Sequence, residues 1–139
     1  MNASARASQR HGSYLHLADD SQRMIIWSAL HDACEWHHKF LTACPACRAG
    51  GTCAQHWREH QEPGNAYREI MMRLDYYGGC AAGIACPLDS PAQRAISSAL
   101  PLAVAYRDGQ EAAESAALVA AYRALAAILA SGARPEAVI

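Results

Sequence analysis

A chain of 139 residues is long enough to bury the core of one ordinary domain, so no metal is needed merely to fold it. With 52% hydrophobic and 18% charged residues it is globular in composition and not a disordered segment. A net charge of −1 lacks the basic excess with which dedicated nucleic-acid binders neutralise phosphates.

Residues 1–18 read as a flexible N-terminal arm. They are polar, hold Arg6 and Arg10 without an acid, and contain no apolar stretch of signal-peptide type. Asp19, Asp20 and Ser21 then supply cap and first-turn acid signals for a helix over about residues 21–42. Ile26, Leu30, Ala33 and Phe40 follow helical spacing there, and Met24, Trp27 and Leu41 widen the apolar stripe. A cysteine-rich loop follows. Helical pattern resumes near Ala54, is expected to break at Pro63-Gly64, and restarts behind Asn65 as an N-cap. Tyr67, Ile70, Met71 and Leu74 form its stripe, and Gly78-Gly79 its stop.

Ser90-Pro91-Ala92-Gln93 has the pattern of another helix start, with Ser90 as the cap. Pro101 should kink or split that helix, and Asp108-Gly109 marks a turn. A last helix runs to about Ser131 and buries Leu118, Tyr122, Leu125 and Leu129; residues 133–139 are a frayed tail. The apolar run "SAALVAAYRALAAILA" carries Arg123 and looks short for a bilayer, so the expectation is a cytoplasmic protein without membrane contact. No segment alternates with period two. The expected fold class is therefore all-α, a small bundle of four to five helices over residues 19–132, with a metal-binding loop between the first two.

In a reducing compartment, six cysteines read as metal or redox ligands before they read as disulfides. Residues 44 to 56, "CPACRAGGTCAQH", hold two pairs of soft-metal ligands. Cys44 and Cys47 flank a tight turn, and the proline between them favours backbone N–H groups that point at sulfur. Cys53 and His56 lie three apart, on one face of the helix that starts there. Three thiolates and one imidazole are a closed tetrahedral set for zinc, which points to a structural ion. Cys34 and His60 are the alternative ligands, close enough in sequence to replace His56 or to orient it. Cys80 and Cys86 have no CxxC and no nearby histidine, and read as core thiols.

Catalytic signals are sparse. "HWREH" fits H-x-x-E-H and resembles the inverted zinc-protease motif, on which His56 and His60 would be ligands and Glu59 the base. That motif needs a distant third ligand, and here only Glu136 stands far downstream. His31, Glu35 and His38 share one helix face, but no second E-x-x-H completes a di-iron set. No phosphate-binding glycine loop, Gly-x-Ser-x-Gly elbow or dinucleotide fingerprint is present.

The stretch "CPACRAGGTCAQH" with the following "AYREI" resembles small actinobacterial and actinophage proteins that carry C-x2-C-x5-C-x2-H/D loops, a likeness that implies no particular activity. The spacing C-x2-C-x5-C behind Cys34 also resembles the WhiB-like iron–sulfur regulators. On that likeness Cys34, Cys44, Cys47 and Cys53 would hold a redox-sensing [4Fe–4S] cluster in a transcriptional regulator. The proline inside this CxxC and the absence of a following Gly-Val/Ile-Trp-Gly-Gly turn depart from that family.

The sequence thus leads first to a non-enzymatic, cytoplasmic zinc protein whose metal shapes a surface for a protein or nucleic-acid partner. Arg48, Trp57, Arg58 and Tyr67 are the expected contacts, because arginine and aromatic residues dominate binding hot spots. Tyr122, Leu125 and Leu129 on an alanine-rich helix offer a route to a homodimer.

Overall fold

The computed structural model describes residues 20–51, 53–76, 88–108, 110 and 112–130. The expected arm, the C-terminal tail, the Gly78-Gly79 stop and both Cys80 and Cys86 lie outside them. Among the described residues the chain is all-α and has no strand. In chain order, α1 spans Asp20–Ala43, α2 Pro45–Gly50 and α3 Ala54–His56. A π-helical turn follows at Trp57–Gln61, then α4 at Glu62–Tyr76, α5 at Ser90–Asp108 and α6 at Ala113–Ala130. The segments from Ala54 to Tyr76 abut without a gap and form one rod, so the described bundle has five helices.

The first helix is the centre of the bundle. It packs against α4, α5 and α6, and Ile26, Ala29, Leu30 and Ala33 are fully buried. They meet Ile70 and Leu74 from α4, Ile96, Ala99, Leu100 and Ala103 from α5, and Tyr122 and Leu125 from α6. The stripes expected on α4 and α6 are those that face the core. Phe40 and Met24 are exceptions, and both are exposed.

Three local expectations need correction. Pro63-Gly64 does not break the helix. The N–H of Glu62 reaches back to the carbonyl of Trp57, a π-type bond, and this wider turn just before Pro63 carries the chain through the proline. Asn65 is consequently mid-helix, where its Oδ1 accepts from Gln61 and Arg68 at 2.9 Å each. Asp89, not Ser90, caps α5: its Oδ1 accepts the N–H of Ala92 at 2.9 Å. Pro101 sits inside α5 without splitting it.

The last helix also differs from its reading. It begins at Ala113, two residues before the apolar run, and its 18 residues have a mean hydropathy of 1.5. By length and composition α6 is long and apolar enough to cross a membrane, a test that a core helix passes too. Its Tyr122 and Leu125 are buried in the bundle and not free for a second copy, and Leu129 packs on the same core.

One buried polar knot joins three helices. Asp32 is fully buried. It accepts two bonds from the Arg107 guanidinium, at 2.7 and 3.0 Å, and one from the Tyr122 hydroxyl at 2.7 Å. Burial first, and then the Asp32 carboxylate, push the Tyr122 phenol well above its ordinary range, so it stays a proton donor.

Candidate metal centre

The stretch from Cys44 to His56 folds as two helix starts joined by a glycine corner. Cys44 is extended, as a residue before proline must be (φ −88°, ψ 117°), and Pro45 occupies the first helical position. The Arg48 N–H closes the first turn on the Cys44 carbonyl at 3.1 Å. Gly51 ends α2 at φ 92°, a conformation that L side chains rarely adopt. Cys53 is extended again, and the Trp57 N–H bonds to its carbonyl at 2.8 Å, so that Cys53 and His56 fall on one face of the rod.

This brings four ligand atoms together. One atom each from Cys44, Cys47, Cys53 and His56 lies within 4.8 Å of the other three. The Cys47 and Cys53 sulfurs are 3.6 Å apart, and His56 Nδ1 stands 3.3 Å from the first and 3.4 Å from the second. With metal–sulfur bonds of about 2.3 Å and metal–nitrogen bonds of about 2.0 Å, a tetrahedron has S···S edges of about 3.8 Å and S···N edges of about 3.5 Å. These three edges are close to both, and the Cys44 sulfur lies within 4.8 Å of each atom, so these residues can hold one metal ion. All four are half-buried, under the bundle's end but reachable from solvent.

The sulfurs are electrostatically unequal. The Cys47 backbone N–H, aimed at the Cys44 sulfur, brings that thiol down to about 7 against the opposing effect of lost water. Cys47 goes the other way. The Cys53 N–H, 3.3 Å from its sulfur, pulls it down, but desolvation and the Cys53 and Cys44 sulfurs outweigh that pull and raise it. Cys44 therefore loses its proton before Cys47, whose proton an arriving cation displaces. The described cysteines, Cys34 included, are free thiols.

Neither alternative ligand joins this group. Cys34 is buried and donates to the Gly64 carbonyl at 3.6 Å, and burial raises its thiol. The His60 Nδ1 lies 2.9 Å from the His37 Nδ1 inside the bundle. Of the expected partner contacts, Arg48, Trp57 and Arg58 are exposed. Tyr67 is not: it belongs to the buried stripe of α4, and its hydroxyl meets Ser98 at 3.1 Å, so it cannot serve as a surface contact.

The His37–His60 pair is a feature that the sequence did not announce as a unit. Both rings are buried. Desolvation, and then the neighbouring His60, bring His37 down to about 4; desolvation, and then His56, lower His60. Phe40 stacks flat on the His60 ring at 4.4 Å, and Trp36 meets His37 edge-on at 5.1 Å. The π turn lies directly between His56 and the rest of the rod. A ring nitrogen of His56, a Glu59 carboxylate oxygen and a ring nitrogen of His60 also lie within 4.8 Å of one another. His31 and Glu35 only approach to 4.0 Å, with His31 stacked on Trp27.

No protein-family model, curated protein or solved structure matches the chain.

Proposed function

We propose that the protein is a small, non-enzymatic, cytoplasmic zinc-binding protein in which one zinc ion, held by Cys44, Cys47, Cys53 and His56, shapes a surface for a macromolecular partner. The observation that carries this reading is the convergence of the Cys47 and Cys53 sulfurs and one imidazole nitrogen at the edge lengths of a single-ion tetrahedron, with the Cys44 sulfur within 4.8 Å of each. A Cys3His set leaves no position for water or substrate, which is the chemistry of a structural ion. The ion would pin α2 and the start of the Ala54–Tyr76 rod to the end of α1 and fix how these elements meet.

The surface so fixed carries Arg48, Trp57 and Arg58, with Trp57 at 47% exposure. Over residues 39–61 three cations (Lys39, Arg48, Arg58) stand against the single acid Glu59, which suits a partner of acidic character, protein or nucleic acid. A [4Fe–4S] cluster has less support. It needs each thiolate on a different iron, which spreads the sulfurs apart, and its fourth ligand, Cys34, is engaged with Gly64. The test is paired substitution. Cys47→Ser should lower bound zinc and melting temperature together, whereas Trp57→Ala and Arg58→Glu should keep the zinc. Full zinc retention by Cys47→Ser would contradict the site.

A further inference from the structure

We propose that His56, Glu59 and His60 form a second cation site, open to solvent, beside the thiolate centre and sharing His56 with it. The proposal rests on the reading that the thiolates hold an ion through His56 Nδ1, which leaves Nε2 as the ring atom that a second ion would take once its proton is displaced. The ligand class is a borderline divalent ion such as Zn2+, Ni2+ or Cu2+, which takes imidazole and carboxylate donors together.

Three observations carry it. Donor atoms of the three residues already lie within 4.8 Å of one another, with His60 Nε2 and Glu59 Oε2 at 3.9 Å. That separation is too long for a hydrogen bond and about 0.6 Å longer than the N···O edge of a tetrahedral ion, a gap that a turn of the exposed Glu59 side chain closes. The nitrogen is held in place and the oxygen is not. The His60 ring is buried, stacked on Phe40 at an interplanar angle of 1°, and joined through Nδ1 to His37. Glu59 is exposed and free to close on an arriving ion.

The third observation is the contact between the two buried histidines. Ligating histidines generally hold their other ring nitrogen on a fixed partner, and His37 Nδ1 stands 2.9 Å from His60 Nδ1. In the tautomer with His60 Nδ1–H donating to His37 Nδ1, His60 Nε2 presents a lone pair towards Glu59. The other ring nitrogen of His37, Nε2, is buried without a hydrogen-bond partner, beside the aromatic rings of Trp36 and Tyr67. The π turn has a role here too: it sets the phase at which His56, Glu59 and His60 follow one another along the rod. When the second ion binds, the His56 Nε2 proton leaves to bulk water, and water completes the open side of the coordination sphere.

Cobalt(II) alone, titrated into the metal-free full chain, separates the two sites by colour. The first equivalent should show sulfur-to-cobalt charge transfer. A second equivalent should add only the weak ligand-field bands of nitrogen and oxygen donors. Glu59→Gln, a change on the exposed surface, should weaken the second equivalent by about tenfold or more and leave the first intact, and His60→Gln should do the same. Saturation at one equivalent would overturn the proposal, as would a second equivalent indifferent to Glu59→Gln. A sulfur-free equivalent that depends on Glu59, seen without any charge-transfer band, would refute the thiolate centre and with it the shared-histidine arrangement, whereas a charge-transfer band with saturation at one equivalent would refute the second site alone.

Discussion

Cys44 owes its acidity to a neighbour that removes a hydrogen-bond donor. Pro45 forces Cys44 into an extended conformation and starts a helix, and the N–H groups of that helix then face the sulfur. In metal-free protein, Cys44 should therefore alkylate faster than Cys47, with a rate that rises through a midpoint of about 7. Metal affinity should fall as pH drops, since protons then compete for the thiolates. Mass-resolved alkylation at several pH values measures both; equal reactivity of Cys44 and Cys47 would contradict the assigned polarity. Gly51, at φ 92°, makes a second point at this scale. Gly51→Ala adds no clash but strains the corner, and should cost about 1 kcal/mol of stability in urea unfolding. Asp32 is the residue whose role was least legible. Its position three residues after Ala29 placed it on the apolar face, yet its partners stand 75 and 90 residues away. Asp32→Ala strands the guanidinium and phenol that it satisfies, and should cost about 3 kcal/mol by urea unfolding.

Elements were legible where periodicity decided them and illegible where a local breaker was overruled. The stripes of α4 and α6 are plain in spacing, and the residues that carry them are buried or packed on the core. Pro63 was read from its intrinsic preference, which says break; a π bond one residue upstream carries the helix through. Because π turns have no sequence period, nothing in the composition announced it. The same turn lies beside the His37–His60 pair, which ties α1 to the rod. His37 is lowered from 6.5 to about 4, so the folded chain resists a proton that the unfolded chain accepts. Stability from this group is complete above pH 6.5 and is lost as pH falls from there towards 4. Urea unfolding with chelator present should show this decline, and His37→Gln should flatten it. An unchanged slope in the variant would remove the pair from the account.

At the scale of the molecule, α1 is both the core's centre and the support of the metal end. Its middle carries Ile26 to Ala33 into the bundle, and its last turns carry His37 and Phe40 to the rod that bears His56. The all-α class and the four-residue cluster were legible because one rests on absent alternation and the other on spacing within thirteen residues. The choice between His56, Cys34 and His60 was not, because it depends on how α1 and the rod lie in space. Loss of the ion should accordingly loosen the metal end more than the Asp32 knot at the middle of the bundle.

The most direct measurement is the metal content of untagged full-length protein purified without oxygen, by mass spectrometry together with an absorption spectrum. The account predicts one zinc ion per chain that survives extensive dialysis, no visible colour, and its loss in Cys47→Ser. A chain that retains no metal, or one that carries iron and sulfide with a brown absorbance, would contradict it.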